Sequence, residues 1–319
     1  MELEAVHNDK FSVEAAETQL QKLLTSWLLA TSGQSFSNSR ADIAAIEEAR
    51  RKALSMLNVT FDRMESSARY RRECLLKYAG VNFVSIGEDC FSRTVLTRWG
   101  LKPSAKFGER SMPFDLSVHQ ISSLANLLEQ DFRGYTDPAN LTYLEEKNFC
   151  SNVLYKVGFN HEVGREFAEN NFERLREVYD RRLRNFRELL AHEDRKCFVL
   201  HVMQPRHANW SAVRRIWEWL RANSKGSVIM VCLCTWQYGQ EITMAKREPV
   251  SVEGISLVDV NYPLPQYVWH KHVVKNEAEG FERSVIDDLR IVVDGWLAGL
   301  QKEDKQVAYS RVLSSDAVS

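Results

Sequence analysis

The run Val228-Ile229-Met230-Val231-Cys232-Leu233 is apolar at every position. A strand with one face in water alternates apolar and polar residues, so an unbroken apolar run belongs in a sheet covered on both faces. Other β-rich segments are Val81–Ile86, Asn152–Val157, Cys197–Met203 and Ile255–Val260. Helical patterns separate them, over Phe91–Trp99, Val163–His192, Trp210–Asn223 and Glu282–Leu300. Strands alternating with helices predict an α/β fold, a largely parallel sheet with helices on both faces.

The α/β pattern covers 81–305. Residues 1–80 read as a mostly polar helical extension. Within it an earlier helix covers Val13–Leu29, and Ser37 or Ser39 caps a second helix. That helix carries the stripe Ile46, Ala49, Ala53, Leu57, Phe61 and Met64, spaced to pack on the main domain or to join two copies in a homo-oligomer. Residues 306–319 read as a flexible tail.

The 42 basic and 43 acidic residues nearly cancel, so no charge excess points to nucleic acid or to an acidic membrane. The acidic start MELEAVHNDKF is no signal peptide, and no apolar run is long enough to span a bilayer; both point to the cytoplasm. The six cysteines are scattered without Cys-x-x-Cys pairs, which suits free thiols in a reducing compartment and argues against structural zinc. No Gly-rich phosphate loop or metal-ligand cluster stands out, so no cofactor is expected.

Ligands of open α/β sheets bind beyond the carboxyl ends of the strands. Cys90 falls there, just after the first strand and at the start of a helix, and Gly87 permits the tight turn between them. The helix start favours the thiolate, the form that attacks. Glu88 and Asp89 oppose it, so a neighbouring cation or imidazolium has to outweigh them. The plainer reading of Cys90 is a buried residue at a helix start.

A nucleophilic cysteine needs a base, usually His. His161, in Gly158-Phe159-Asn160-His161, lies between a predicted strand and the long helix. His201 lies in or near the end of a strand, and His270 and His272 follow the last one. Position alone does not choose among them. In Ser111-Met112-Pro113-Phe114-Asp115 the proline fixes a turn that holds Asp115 near the same edge. Asp115 as cap of a helix starting near Ser117 explains that motif equally well.

Taken together, Ser85-Ile86-Gly87-Glu88-Asp89-Cys90, Leu96-Thr97-Arg98-Trp99-Gly100-Leu101, Pro113-Phe114-Asp115, Gly158-Phe159-Asn160-His161 and Tyr179–Phe186 resemble the bacterial papain-like cysteine peptidase family, long carried as a domain of unknown function. The resemblance covers 81 to about 204. It implies Cys90 as nucleophile, His161 as base, Asp115 as an orienting or structural carboxylate, and Arg181 as a site or scaffold cation. Leu116 stands where the family usually has Trp.

The alternation of strands and helices also suits a Rossmann-like or SGNH-hydrolase-like sheet, with Cys in place of the SGNH serine. There the base comes late in the chain, from His270 or His272 with Asp259 nearby. Three functions fit: a Cys-His hydrolase, peptidase-like by resemblance; an acyltransferase or esterase on the same scaffold; or a non-enzymatic binding module. Small-molecule, carbohydrate and peptide substrates all remain open.

Overall fold

The computed structural model describes residues 40–103, 108–242, 253–271 and 276–316. The chain divides into two compact units, Met1–Leu76 and Lys77–Ser319. In the first, helix α1 spans Arg40–Lys77. The expected helix over 13–29 and the cap at Ser37 or Ser39 lie outside the described residues.

In the second unit, strands β1 (Val81–Gly87), β5 (Arg195–Val202), β6 (Val228–Trp236) and β7 (Ile255–Asn261) form a parallel sheet in that order. Between β1 and β5 the chain builds a second, antiparallel sheet from β2 (Leu141–Leu144), β3 (Phe149–Asn152) and β4 (Val157–Val163). Five helices complete the unit among the described residues: α2 (Phe91–Arg98), α3 (Ile121–Glu129), α4 (Glu169–Ala191), α5 (Trp210–Asn223) and α6 (Asn276–Asp316).

Side chains alternate across the parallel strands. One face presents Val84, Ile86, Phe198, Leu200, Met230 and Cys232 to a core shared with Leu124 and Leu128 of α3, Tyr179 and Phe186 of α4, and Ile216 and Trp217 of α5. The other presents Phe83, Val199, His201, Val231 and Leu233, all buried, and α2 and α6 pack on that side. Covering both faces is what the all-apolar β6 requires.

The antiparallel sheet corrects the sequence reading. Asn152–Val157 is not a strand but the turn joining β3 to β4, held by Asn152 Oδ1 accepting from the Tyr155 backbone N–H at 2.9 Å. The segment from Val163 does not start the α-helix: β4 ends there, a 3-10 turn spans Arg165–Phe167, and α4 starts at Glu169. The helix expected near Ser117 begins at Ile121 with Gln120 at its cap, so Asp115 caps nothing.

The Leu96–Leu101 motif is a helix stop. Gly100, at φ +79°, lets the Leu101 N–H reach Leu96 O at 3.0 Å and its own N–H reach Thr97 O at 3.4 Å, a Schellman closure. Trp99 Nε1 then donates to Glu282 Oε2 at 2.9 Å, tying the end of α2 to α6.

At the other end of α2, Gly87 stands at φ +135°, and a Cβ there would lie 2.6 Å from the His201 backbone nitrogen and 2.7 Å from its oxygen. Gly87→Ala is therefore expected to lower unfolding free energy by about 2–4 kcal/mol, checked by urea denaturation.

Candidate active site

Cys90 is the N-cap residue of α2, its side chain free of any capping bond. The capping is done by its neighbour: Asp89 Oδ1 accepts from the Phe91 backbone N–H at 3.0 Å. The same carboxylate accepts from His201 Nδ1 at 2.5 Å, and its Oδ2 accepts from Trp269 Nε1 at 3.0 Å. His201 Nε2 faces Thr235 Oγ1 at 3.1 Å. Burial raises the Asp89 carboxyl, but the His201 charge and these donors outweigh it and hold it below its ordinary range.

His161 reaches Cys90 through an irregularity in β4. Cys150 pairs with Phe159 while its neighbour Phe149 pairs with Val163, so Asn160, His161 and Glu162 bulge out of the ladder. A bulge bends the strand and re-aims its side chains. Here it brings His161 Nε2 to 3.4 Å from Cys90 Sγ. Glu162 turns inward, accepting from Arg182 Nη2 at 2.6 Å and from the Tyr179 hydroxyl at 3.0 Å.

The electrostatics run against a standing thiolate. Burial and then the Asp89 charge push the Cys90 thiol up to about 11, with only its own backbone N–H and Arg93 pulling down. Burial also depresses His161, helped by the charges of Arg93 and Arg182 and opposed by Glu162. Both shifts favour the neutral forms, so the resting pair is a thiol facing a neutral imidazole.

The other expected site residues keep different company. Asp115 is fully buried. It accepts from Ser85 Oγ, from Lys102 Nζ at 2.8 and 3.0 Å and from the Met112 N–H at 2.7 Å, a network that fixes the Pro113–Phe114 turn. Asp259 accepts from Trp236 Nε1 at 2.7 Å. His270 is exposed, edge-on to Trp269, and His272 lies outside the described residues. Arg181 is exposed, whereas its neighbour Arg182 is buried against Glu162 and stacked over Tyr179. The sequence does carry a signal that separates Arg182 from Arg181: Arg182 follows Tyr179 and precedes Phe186 at helical spacing on the apolar side of α4. Arg93, one turn after Cys90, was missed.

Among the described residues no group of three or more His, Cys, Asp or Glu is placed to hold a metal ion, and no helix is long and apolar enough to cross a membrane.

These features define a mixed α/β protein with a cysteine–histidine contact where its parallel sheet meets its antiparallel one. Residues 81–234 match the model of the family described as "putative papain-like cysteine peptidase", a family of peptidase-like hydrolases by that description. No curated protein and no solved structure matches the chain.

Two outcomes test this geometry. Arg182→Met leaves Glu162 buried without its cation and is expected to cost about 3–5 kcal/mol, while Arg181→Met stays within about 0.5 kcal/mol in the same urea titrations. Asp89→Asn removes the charge that raises the thiol. The midpoint of Cys90 alkylation against pH should therefore move down from about 11, read by mass spectrometry of the Cys90 peptide.

Proposed function

We propose that the protein is a thiol hydrolase in which Cys90 attacks an acyl carbon and His161 moves the proton. The observation that carries this reading is the 3.4 Å approach of Cys90 Sγ to His161 Nε2. Because both groups rest neutral, proton transfer and attack are coupled. The S–H proton passes to Nε2 as Sγ bonds to the carbonyl carbon, and the imidazolium returns it to the leaving group as the C–N or C–O bond breaks. Water, deprotonated by His161, then releases the acid and restores the thiol.

In this reading the developing oxyanion is received by the Cys90 backbone N–H, which lies against its own Sγ, and by the Ser92 and Arg93 N–H groups of the first α2 turn. The Phe91 N–H is already committed to Asp89.

The acyltransferase alternative uses the same acyl-enzyme with another acceptor in place of water. One observation favours keeping it: His161 is exposed, so an alcohol or amine can approach the base from solvent. All six cysteines are free thiols, which supports work in a reducing compartment such as the cytoplasm.

Ester, thioester and peptide panels provide the test. Cys90→Ala is expected to abolish whatever turnover is found, and His161→Ala to lower kcat/KM by about 10²–10⁴. Turnover that survives in Cys90→Ala would overturn the hydrolase reading. Product analysis with an added amine or alcohol separates acyl transfer from hydrolysis.

A further inference from the structure

Three polar atoms close to the Cys90–His161 pair are buried and have no hydrogen-bond partner: Arg93 Nε, Arg182 Nη1 and Asn160 Oδ1. Leaving such groups unmet is costly, and two of the three are guanidinium donors. Arg93 stands three residues after Cys90 on α2, so the two share a helix face. Its Nη2 reaches Glu109 Oε2 at 3.3 Å, but Lys102 Nζ holds the other oxygen of that carboxylate at 2.9 Å. Lys102 is also held by Asp115, at 2.8 and 3.0 Å, so Arg93 is the more loosely held of the two cations. Arg182 has a full partner in Glu162 through Nη2, with Nη1 left over. Asn160 sits in the same bulge as His161. Asp89, next to Cys90 in the chain, accepts from His201, the Phe91 N–H and Trp269, while its charge still raises the thiol.

We propose that the site takes a substrate carrying an oxyanion, a carboxylate or a phosphate, beside its reactive carbonyl, with Arg93 as the residue that receives it. Arg182 supports the same charge from below through Nη1, and the Asn160 amide meets a polar group of the ligand. This rests on Cys90 being the attacking group, and it adds the substrate class that the Cys-His contact alone leaves open.

The test compares alkylation of Cys90 by iodoacetate and by iodoacetamide in the full chain, read on the Cys90 peptide. Each reagent forms one S–C bond and releases iodide, and both use the same thiolate fraction, so their rate ratio cancels the thiol pKa. The work is done above pH 8, where the His161 imidazole is neutral and cannot itself attract the anion. The Asp89 charge acts on the ratio in wild type and variant alike, so the contrast that reads Arg93 is between them: the wild-type ratio is expected to exceed that of Arg93→Gln by about fivefold, the effect of one partly screened cation. Arg93→Lys should restore part of the difference. A ratio that Arg93→Gln leaves unchanged overturns the proposal. Acetate and inorganic phosphate are then tried as protectants against iodoacetamide: protection by acetate assigns a carboxylate and protection by phosphate a phosphate, while protection by neither overturns the proposal. Failure of the Cys-His reading looks different, as an iodoacetamide rate indifferent to His161→Ala.

Discussion

The Asp89 carboxylate, held at 2.5 Å from His201 Nδ1, organises the carboxyl edge of the parallel sheet. Gly87 and His201 are register partners at the ends of β1 and β5, so close that only a glycine fits. The chain therefore leaves β1 tightly, and Asp89 drops directly onto the His201 ring. Once there, it caps α2 through Phe91 and takes Trp269 from the segment after β7. One side chain thus joins β1, β5, α2 and the post-β7 loop. Cys90 is its next neighbour, and its position follows from that junction. The cost is electrostatic: the carboxylate that positions the thiol adds its charge to the burial that already raises it.

Much of the parallel sheet was legible in the sequence because burial on both faces leaves a one-dimensional mark. The Val228–Leu233 run of β6 is apolar throughout; β1, β5 and β7 are interrupted by polar residues such as Ser85, Lys196 and Asp259, yet their β-rich runs lie within two residues of the strands. The antiparallel sheet was not. Its strands β2 and β3 are four residues each, too short to show a period, and the segment read as a strand proved to be the turn between β3 and β4. The site was legible to the same degree. Cys90 follows from strand, glycine and helix start. No periodicity announces the three-residue bulge that aims His161, because it depends on how Phe149 and Cys150 pair across β3 and β4. Arg181 and Arg182 differ by one position on a helix, and that 100° step separates a solvated cation from a buried one.

The buried charges near the site stand in paired sets, among which Arg93 is the most loosely held, at 3.3 Å from Glu109. Asp115 with Lys102, Glu109 with Lys102 and Arg93, and Glu162 with Arg182 each join a loop or strand to a helix. Such pairs gain little net stability against an apolar replacement, yet each fixes the geometry of its partners. The contacts form a chain: Asp115 secures the Pro113 turn and Lys102, Lys102 lies 2.9 Å from Glu109, and Glu109 reaches Arg93 at 3.3 Å.

The family description and the fold look at odds only while the chain is read as a simple strand–helix alternation. A papain-type enzyme sets its cysteine on a helix and draws the histidine from a β-rich lobe facing it. In this protein the cysteine sits at the start of α2 and the histidine comes from the antiparallel sheet inserted between β1 and β5. The division of labour is comparable although the scaffold is a parallel α/β sheet, and a constellation of this kind is recognised by geometry and roles rather than by fold. An SGNH-like arrangement would need a late histidine at Cys90. Of its two candidates, His270 lies exposed beside Trp269 and His272 is outside the described residues, while Asp259 is engaged with Trp236. Among the described residues the histidine in contact with Cys90 is His161, and that contact depends on the bulge in β4, so the antiparallel sheet rather than the end of the parallel one supplies it.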